Sequence, residues 1–321
     1  IGVTAKLIYA ETSDTLCALP LNDVTEPIAF PPPVLSMAIE PKAKGDEEKI
    51  STGLSKLLSE DKTFSLVQNT ETHQTVISGT GEQHLSVICS KLATKFGVDV
   101  NLKEPRIAYR ESIKGKAKAE GKYKKQSGGH GQYGHVWIEF EPCESEELVF
   151  EEKIFGGSVP KNFFPAVEKG IKESMKNGVL AGYPVVNLKA TLLDGSYHPV
   201  DSSELAFKTA ASLAYKDAMP KAKPVILEPI GELKAYVPNS YTGDVVGDIN
   251  RRRGRIMGMN PVNEKITEIT AYVPEAEMLK YATDLRAVTN GRGSFEFKHK
   301  QYEEVPPNIL DKVIELSKAQ K

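Results

Sequence analysis

Between residues 34 and 104 the apolar positions switch between a period of two and a helical period in a fixed order. Three prolines, Pro31 to Pro33, precede it; they favour extended backbone and cannot sit inside a helix or a central strand. Val34–Glu40 then reads as a strand. Asp46–Glu60 reads as a helix, with Ile50, Leu54, Leu57 and Leu58 on one face. Phe64–Asn69 and Gln74–Ser78 read as strands. Glu82–Phe96 reads as a second helix, with Leu85, Cys89, Leu92 and Phe96 aligned and Gly97 as its stop. Val98–Leu102 closes the run. The order βαββαβ is the ferredoxin-like split βαβ arrangement.

The same order recurs further on. Leu227–Val237 reads as a strand, and Gly243–Arg253 as a helix with Val245, Val246 and Ile249 inward. Arg255–Met259 and Lys265–Tyr272 read as strands. Pro274 is expected to open a helix at its first position, a place that suits proline. That helix carries Met278, Leu279, Ala282 and Leu285 and stops at Gly291. Ser294–Lys300 closes the second unit, and a last helix follows Pro306 and Pro307.

The middle differs. Arg106–Ile113 and His135–Glu141 alternate like strands, Phe164–Lys176 reads as a helix, and Val185–Leu193 as a strand. A helix from Ser203 to Met219 follows, with Asp201 and Glu204 spaced like a capping box. At the other extreme, Ile1 to Leu19 reads as two short strands around a turn. The chain opens without an initiator Met or a signal peptide, so this hairpin is expected to be the end of an upstream β domain, and the chain a fragment.

Composition narrows the class. The 321 residues are 40% hydrophobic and 26% charged, which excludes wholesale disorder. No apolar run is long enough to cross a membrane as a helix. Cys17, Cys89 and Cys143 are odd in number and far apart, which argues against a disulfide framework and a cysteine zinc site and fits a reducing compartment. A net charge of −2 argues against a general nucleic-acid coat, but the charge is uneven. Residues 1–113 hold 11 basic and 15 acidic side chains, and residues 114–225 hold 16 and 14. Lys114, Lys116, Lys118, Lys122, Lys124 and Lys125 crowd one stretch; Arg251, Arg252, Arg253 and Arg255 form another cluster.

Gly129 to Gly134 matches G-x-G-x-x-G, but a dinucleotide site needs a strand before it and a helix after it. Here a lysine-rich stretch precedes and a strand follows. The readings left are a hairpin tip, or a glycine finger that brings backbone close to a phosphate chain. No Walker-type phosphate loop occurs, and no histidine has a metal-ligand spacing. No catalytic site is therefore expected in this chain, and no metal. His198 lies in Gly195-Ser196-Tyr197-His198-Pro199, a turn that either offers a ring and an imidazole to RNA or is ordinary turn chemistry. The arginines close a helix, where they either complement its dipole or meet an RNA backbone.

Read together, several segments resemble elongation factor G, the bacterial ribosomal translocase. They are Lys125–Val136, Leu180–Val186, Gly195–His198 with Val200–Phe207, Leu227–Ile230, Thr242–Asp248 with Arg251–Gly254, and Tyr281–Arg286. The resemblance covers essentially the whole chain. It implies an α+β multidomain fold with two ferredoxin-like βαββαβ domains flanking an arm like a domain of a small-subunit ribosomal protein. Residues 1–30 would end domain II, a β barrel; 34–104 would be domain III, 105–225 the domain IV arm, 226–302 domain V and 303–321 a terminal helix.

The resemblance also implies a role. The arm tip would enter the small-subunit decoding region during GTP-dependent movement of tRNA and mRNA. The implied tip contacts are Gln126, Ser127, Gly128, Gly129, His130, Gly131, Ser196, Tyr197, His198 and Asp201; Lys124, Lys125, Arg251, Arg252 and Arg253 would meet ribosomal RNA. The implied partners are the ribosome, with its RNA, its proteins, A- and P-site tRNA and mRNA, and no membrane; the protein would be a cytoplasmic monomer. No cofactor is expected here; GTP and Mg would belong to an N-terminal domain of the parent, itself a GTPase. His130 stands where the family usually has Arg, and Gly291–Phe297 is closer to a paralogous branch. The alternatives are therefore a paralog acting in ribosome recycling, or a ribosome-binding module without GTPase coupling.

Overall fold

The computed structural model describes residues 2–4, 7, 9–18, 24–69, 71–126 and 131–319. In chain order its elements begin with β1 (Leu35–Pro41), α1 (Glu47–Glu60), β2 (Ser65–Asn69), β3 (Gln74–Gly79), α2 (Glu82–Phe96) and β4 (Val100–Lys103). There follow β5 (Arg110–Ile113), β6 (Ala117–Lys125), β7 (Gln132–Pro142), β8 (Val149–Glu152), α3 (Phe164–Ser174), β9 (Leu188–Ser196) and α4 (Glu204–Ala218). The rest are β10 (Pro224–Pro238), α5 (Thr242–Arg251), β11 (Arg255–Pro261), β12 (Ile266–Pro274), α6 (Tyr281–Val288), β13 (Ser294–Glu304) and α7 (Pro307–Ala319). They form two compact units, residues 1–108 with 229–301, and residues 109–228 with 302–321.

The first unit holds two βαββαβ sheets. One has the order β2-β3-β1-β4, with every described pairing antiparallel. Its core joins Ile50, Leu54 and Leu57 of α1 to Leu85, Ile88 and Leu92 of α2. The stripe on α2 therefore runs through Ile88, where the sequence reading placed Cys89. Gly97 ends α2 at φ 66°, a left-handed conformation suited to glycine. The second sheet has the order β11-β12-β10-β13, backed by Val245 and Ile249 of α5 and Tyr281 and Leu285 of α6. Pro274 does not open a helix. It sits opposite Ile230 in the β10–β12 ladder at ψ 135°, and a short 3-10 turn follows before α6 begins at Tyr281.

Asp61, just after α1, ties that helix to α2. Its Oδ1 accepts the Thr63 amide (2.9 Å) and hydroxyl (2.6 Å), and its Oδ2 lies 2.9 Å from His84 Nε2. Partial burial pushes the carboxyl up, but the bonds from Thr63 and His84 outweigh it and hold its pKa below the usual aspartate value. A depressed carboxyl contributes stability above its unfolded pKa of about 3.9, and that contribution disappears as pH falls through the folded value. Asp61→Asn is therefore expected to lower the denaturant midpoint at pH 7, with the deficit shrinking below about pH 4. Midpoints at several pH values check this; a deficit independent of pH would refute it.

The expected strands before residue 19 do not form among the described residues, which carry no strand before β1; Leu19 itself lies outside them. The alternation there finds no face to bury, since Val3, Leu7, Tyr9 and Leu16 are all exposed. A lone hairpin without such a face is marginal. Side-chain bonds close the segment instead: Thr15 and Thr25 hydroxyls lie 2.8 Å apart, and the Ile28 amide donates to Ser13 Oγ.

The second unit is built on the sheet β6-β7-β9-β8, antiparallel except for β8 beside β9. Val136, Ile138 and Phe140 of β7 and Leu188, Ala190 and Leu192 of β9 pack on α3 and α4. β6 is a strand that the apolar pattern did not reveal. Its inward positions are Ala119 and Gly121, too small to register as hydrophobic, while Lys118, Lys122 and Lys124 point outward. α4 crosses this hairpin at backbone contact: a Cβ on Gly121 would lie 1.9 Å from Ala210 O, and one on Gly134 2.4 Å from Ala206 O. The cap of α4 is Ser203, whose hydroxyl accepts the Ala206 amide; Asp201 is not the cap. The terminal helix α7 belongs to this unit, with Ser317 Oγ donating to Ala181 O at 2.9 Å.

Candidate functional site

β6 and β7 pair out to Lys125 opposite Gln132, and β9 ends beside them with Ser196 opposite His135. The turn after β9 is clamped to the hairpin. Asp201 O accepts the Tyr133 amide (2.8 Å), Asp201 Oδ1 accepts the Gly131 amide (2.9 Å), and Ser202 Oγ donates to Tyr133 O (3.0 Å). Within the turn the His198 amide donates to Ser202 Oγ at 2.9 Å, and the Ser202 amide to His198 O at 3.1 Å.

This clamp orients the imidazole. His198 Nδ1 accepts the Asp201 amide at 3.2 Å and the Val200 amide at 3.4 Å. The neutral ring therefore carries its proton on Nε2, leaving a donor for a partner. Asp201 Oδ2 lies 3.3 Å from Nδ1, placed to pair with the ring when it is protonated. His198 is 53% exposed and Tyr197 47%. The turn thus offers a preset imidazole donor beside an exposed aromatic ring.

The expected site residues divide. Lys124, Lys125 and Gln126 are exposed at the end of β6, and Gly131 follows at the base of β7. Ser127, Gly128, Gly129 and His130 lie outside the described residues. Ser196 is engaged internally, its hydroxyl 2.7 Å from Tyr133 Oη and 2.8 Å from His135 Nδ1, so it braces the site.

The arginines lie in the other unit and also divide. Arg252 is only 14% exposed; its guanidinium meets Asp248 at 2.8 Å and Asp284 at 2.5 Å, donates to Glu277 O, and lies over the Tyr281 ring. Burial opposes its charge, but the two carboxylates hold its pKa above the ordinary arginine value. Arg253 bonds Glu277 from a left-handed backbone, φ 59°. These two join α5 to the segment leading into α6, a structural duty that sequence spacing alone did not distinguish. Arg251 remains the exposed one, at 75% with Asp248 3.3 Å away.

Among the described residues, no group of three or more His, Cys, Asp or Glu side chains is placed to hold a metal ion. No helix among them is long and apolar enough to cross a membrane.

Two ferredoxin-like sheets and a distinct sheet-and-helix unit bearing a clamped, exposed turn define an α+β multidomain protein. The family model described as Elongation Factor G, domain III matches residues 30–104. That for Elongation factor G, domain IV matches 105–223, and that for the Elongation factor G C-terminus matches 225–313. The chain belongs to the elongation factor G family. It is 44% identical to a protein of known crystal structure from Thermus thermophilus, with a TM-score of 0.82 over 92% of this chain. It spans 44% of that protein's length.

Proposed function

We propose that the chain is the ribosome-engaging part of a translocation factor, and that the arm tip enters the small-subunit decoding region beside tRNA and mRNA. The clamped Tyr197–His198 turn carries the reading. Its exposed ring suits stacking on an unpaired base, and its imidazole Nε2–H suits hydrogen bonding to RNA. Lys124, Lys125 and Gln126 on the neighbouring strand meet phosphates in this reading, and Arg251 meets ribosomal RNA. Family membership supports the further assignment of GTP and Mg to an N-terminal domain of the parent, and of a cytoplasmic, monomeric factor that also meets ribosomal proteins. The Gly291–Phe297 stretch favours a second reading, a paralog that acts in ribosome recycling.

In the intact factor, His198→Ala is expected to slow translocation by about tenfold, the upper scale of one lost hydrogen bond. Ribosome-stimulated GTP hydrolysis should stay near wild type. Rapid kinetics of tRNA movement and of phosphate release measure the two. Unchanged translocation would sink the role of the tip. Unchanged translocation combined with impaired subunit splitting would transfer the site to recycling.

A further inference from the structure

Phe155 is 93% exposed. A lone exposed ring is ordinary, but this one has a specific place in the fold. β8 runs parallel to β9, pairing Val149 with Lys189 through Glu152 with Leu192, so both strands end on the same side. The Lys153 amide then donates to Leu192 O at 2.8 Å, and Ser158 Oγ donates to Asp194 Oδ1 at 2.7 Å. Asp194 and Gly195 lead directly into the clamped turn. The loop 153–158 is therefore pinned at both ends beside the root of the Tyr197–His198 turn.

Its shape presents the ring. Gly156 and Gly157 have φ of 67° and 72°, and a Cβ on either would meet nothing. The glycines serve the backbone, which reverses sharply at two successive left-handed residues, and not a close approach to a neighbour. The Asp194 carboxylate is committed to Ser158 and to the Gly195 amide, bonds that hold its pKa below the usual value. Lys153, Lys122, Lys124 and Lys125 are exposed at this end of the sheet. β8 lies three strand spacings from β6, about 14 Å, and its last residue, Glu152, is in register with Ala119, so Lys122 is the nearest of these β6 lysines and Lys124 and Lys125 lie further out along the strand. Exposed rings flanked by exposed ammonium groups suit single-stranded nucleic acid, with bases on the rings and phosphates on the lysines.

We infer that the Phe155 loop is a third contact element of the arm tip, with the Phe155 ring stacking on an unpaired RNA base. This rests on the reading that the tip meets ribosome-bound RNA.

The test uses the intact factor on ribosomes carrying mRNA and tRNA. With a benzophenone amino acid in place of Phe155, irradiation should give a crosslink to RNA. Phe155→Ala should weaken ribosome binding at least about fivefold, the low end for a base–aromatic stack, and Phe155→Trp should keep it. Because the ring touches little, thermal stability should be the same in all three. Crosslinks to protein alone, no crosslink, or wild-type affinity in Phe155→Ala would each overturn the inference while leaving the His198 result standing. A wild-type factor that fails to bind ribosomes would overturn the proposed function as well.

Discussion

Replacing Gly121 with Val is expected to unfold the second unit under conditions where the wild type is folded, a loss of about 3 kcal/mol or more. The obstacle is backbone. A Cβ at 121 would stand 1.9 Å from Ala210 O and 2.9 Å from Ala214 Cβ, and a carbonyl inside α4 cannot rotate away. Even Gly121→Ala should be severe, and Gly134→Ala, facing Ala206 O at 2.4 Å, should follow it. Trp137, the only tryptophan in the chain, sits on β7 in the same sheet and reports the transition by fluorescence. Gly243→Ala, with open space around it inside α5, should instead be neutral or stabilising by up to about 1 kcal/mol. Wild-type denaturant midpoints for both Gly121 variants would show that α4 does not press on this hairpin.

Glu111→Ala should be comparably damaging, at about 1–3 kcal/mol for a buried donor left unsatisfied and more as further amides lose their acceptor. Glu111 is 1% exposed, and its carboxylate accepts the amides of Leu180, Ala181, Gly182 and Tyr183 at 2.8–3.2 Å. Removing it strands four amide donors, that of Ala181 fully buried and the others partly so, and an unsatisfied buried group costs far more than a hydrogen bond contributes net. Glu111→Gln should lie between, because its NH2 group turns one acceptor into a donor facing donors. Gly178→Ala should mimic the loss, since its Cβ would fall 2.2 Å from the Glu111 carboxyl carbon. Hydrogen exchange at residues 180–183 is the direct measurement: protection should vanish in Glu111→Ala, and retained protection would rule out the carboxylate as its source.

Glu111 also shows where sequence reasoning stops. It stands in a strand-like alternation with nothing to mark it as buried, and its partners lie about seventy residues away. The capping spacing of Asp201 and Glu204 was visible, but Ser203 caps and Asp201 reaches across to the Gly131 amide. Three adjacent arginines read as one patch, yet Asp248, Asp284 and Glu277 draw Arg252 and Arg253 into the fold and leave Arg251 exposed. Phe155 carried no signal at all, because exposure of a phenylalanine is a property of what fails to cover it.

By itself the sequence determined the two βαββαβ repeats, the α3 and α4 helices and the family resemblance. These depend on periodicity and on runs of specific residues, both local along the chain. Only the tertiary structure decided that the lysine stretch is a strand and that glycines 121 and 134 exist for a crossing helix. It also decided that Ser196 braces the site, and that His198 is held by the backbone of its own turn against β7. Each of these is a contact between segments distant in sequence, where a small residue or a committed polar atom leaves no periodic trace.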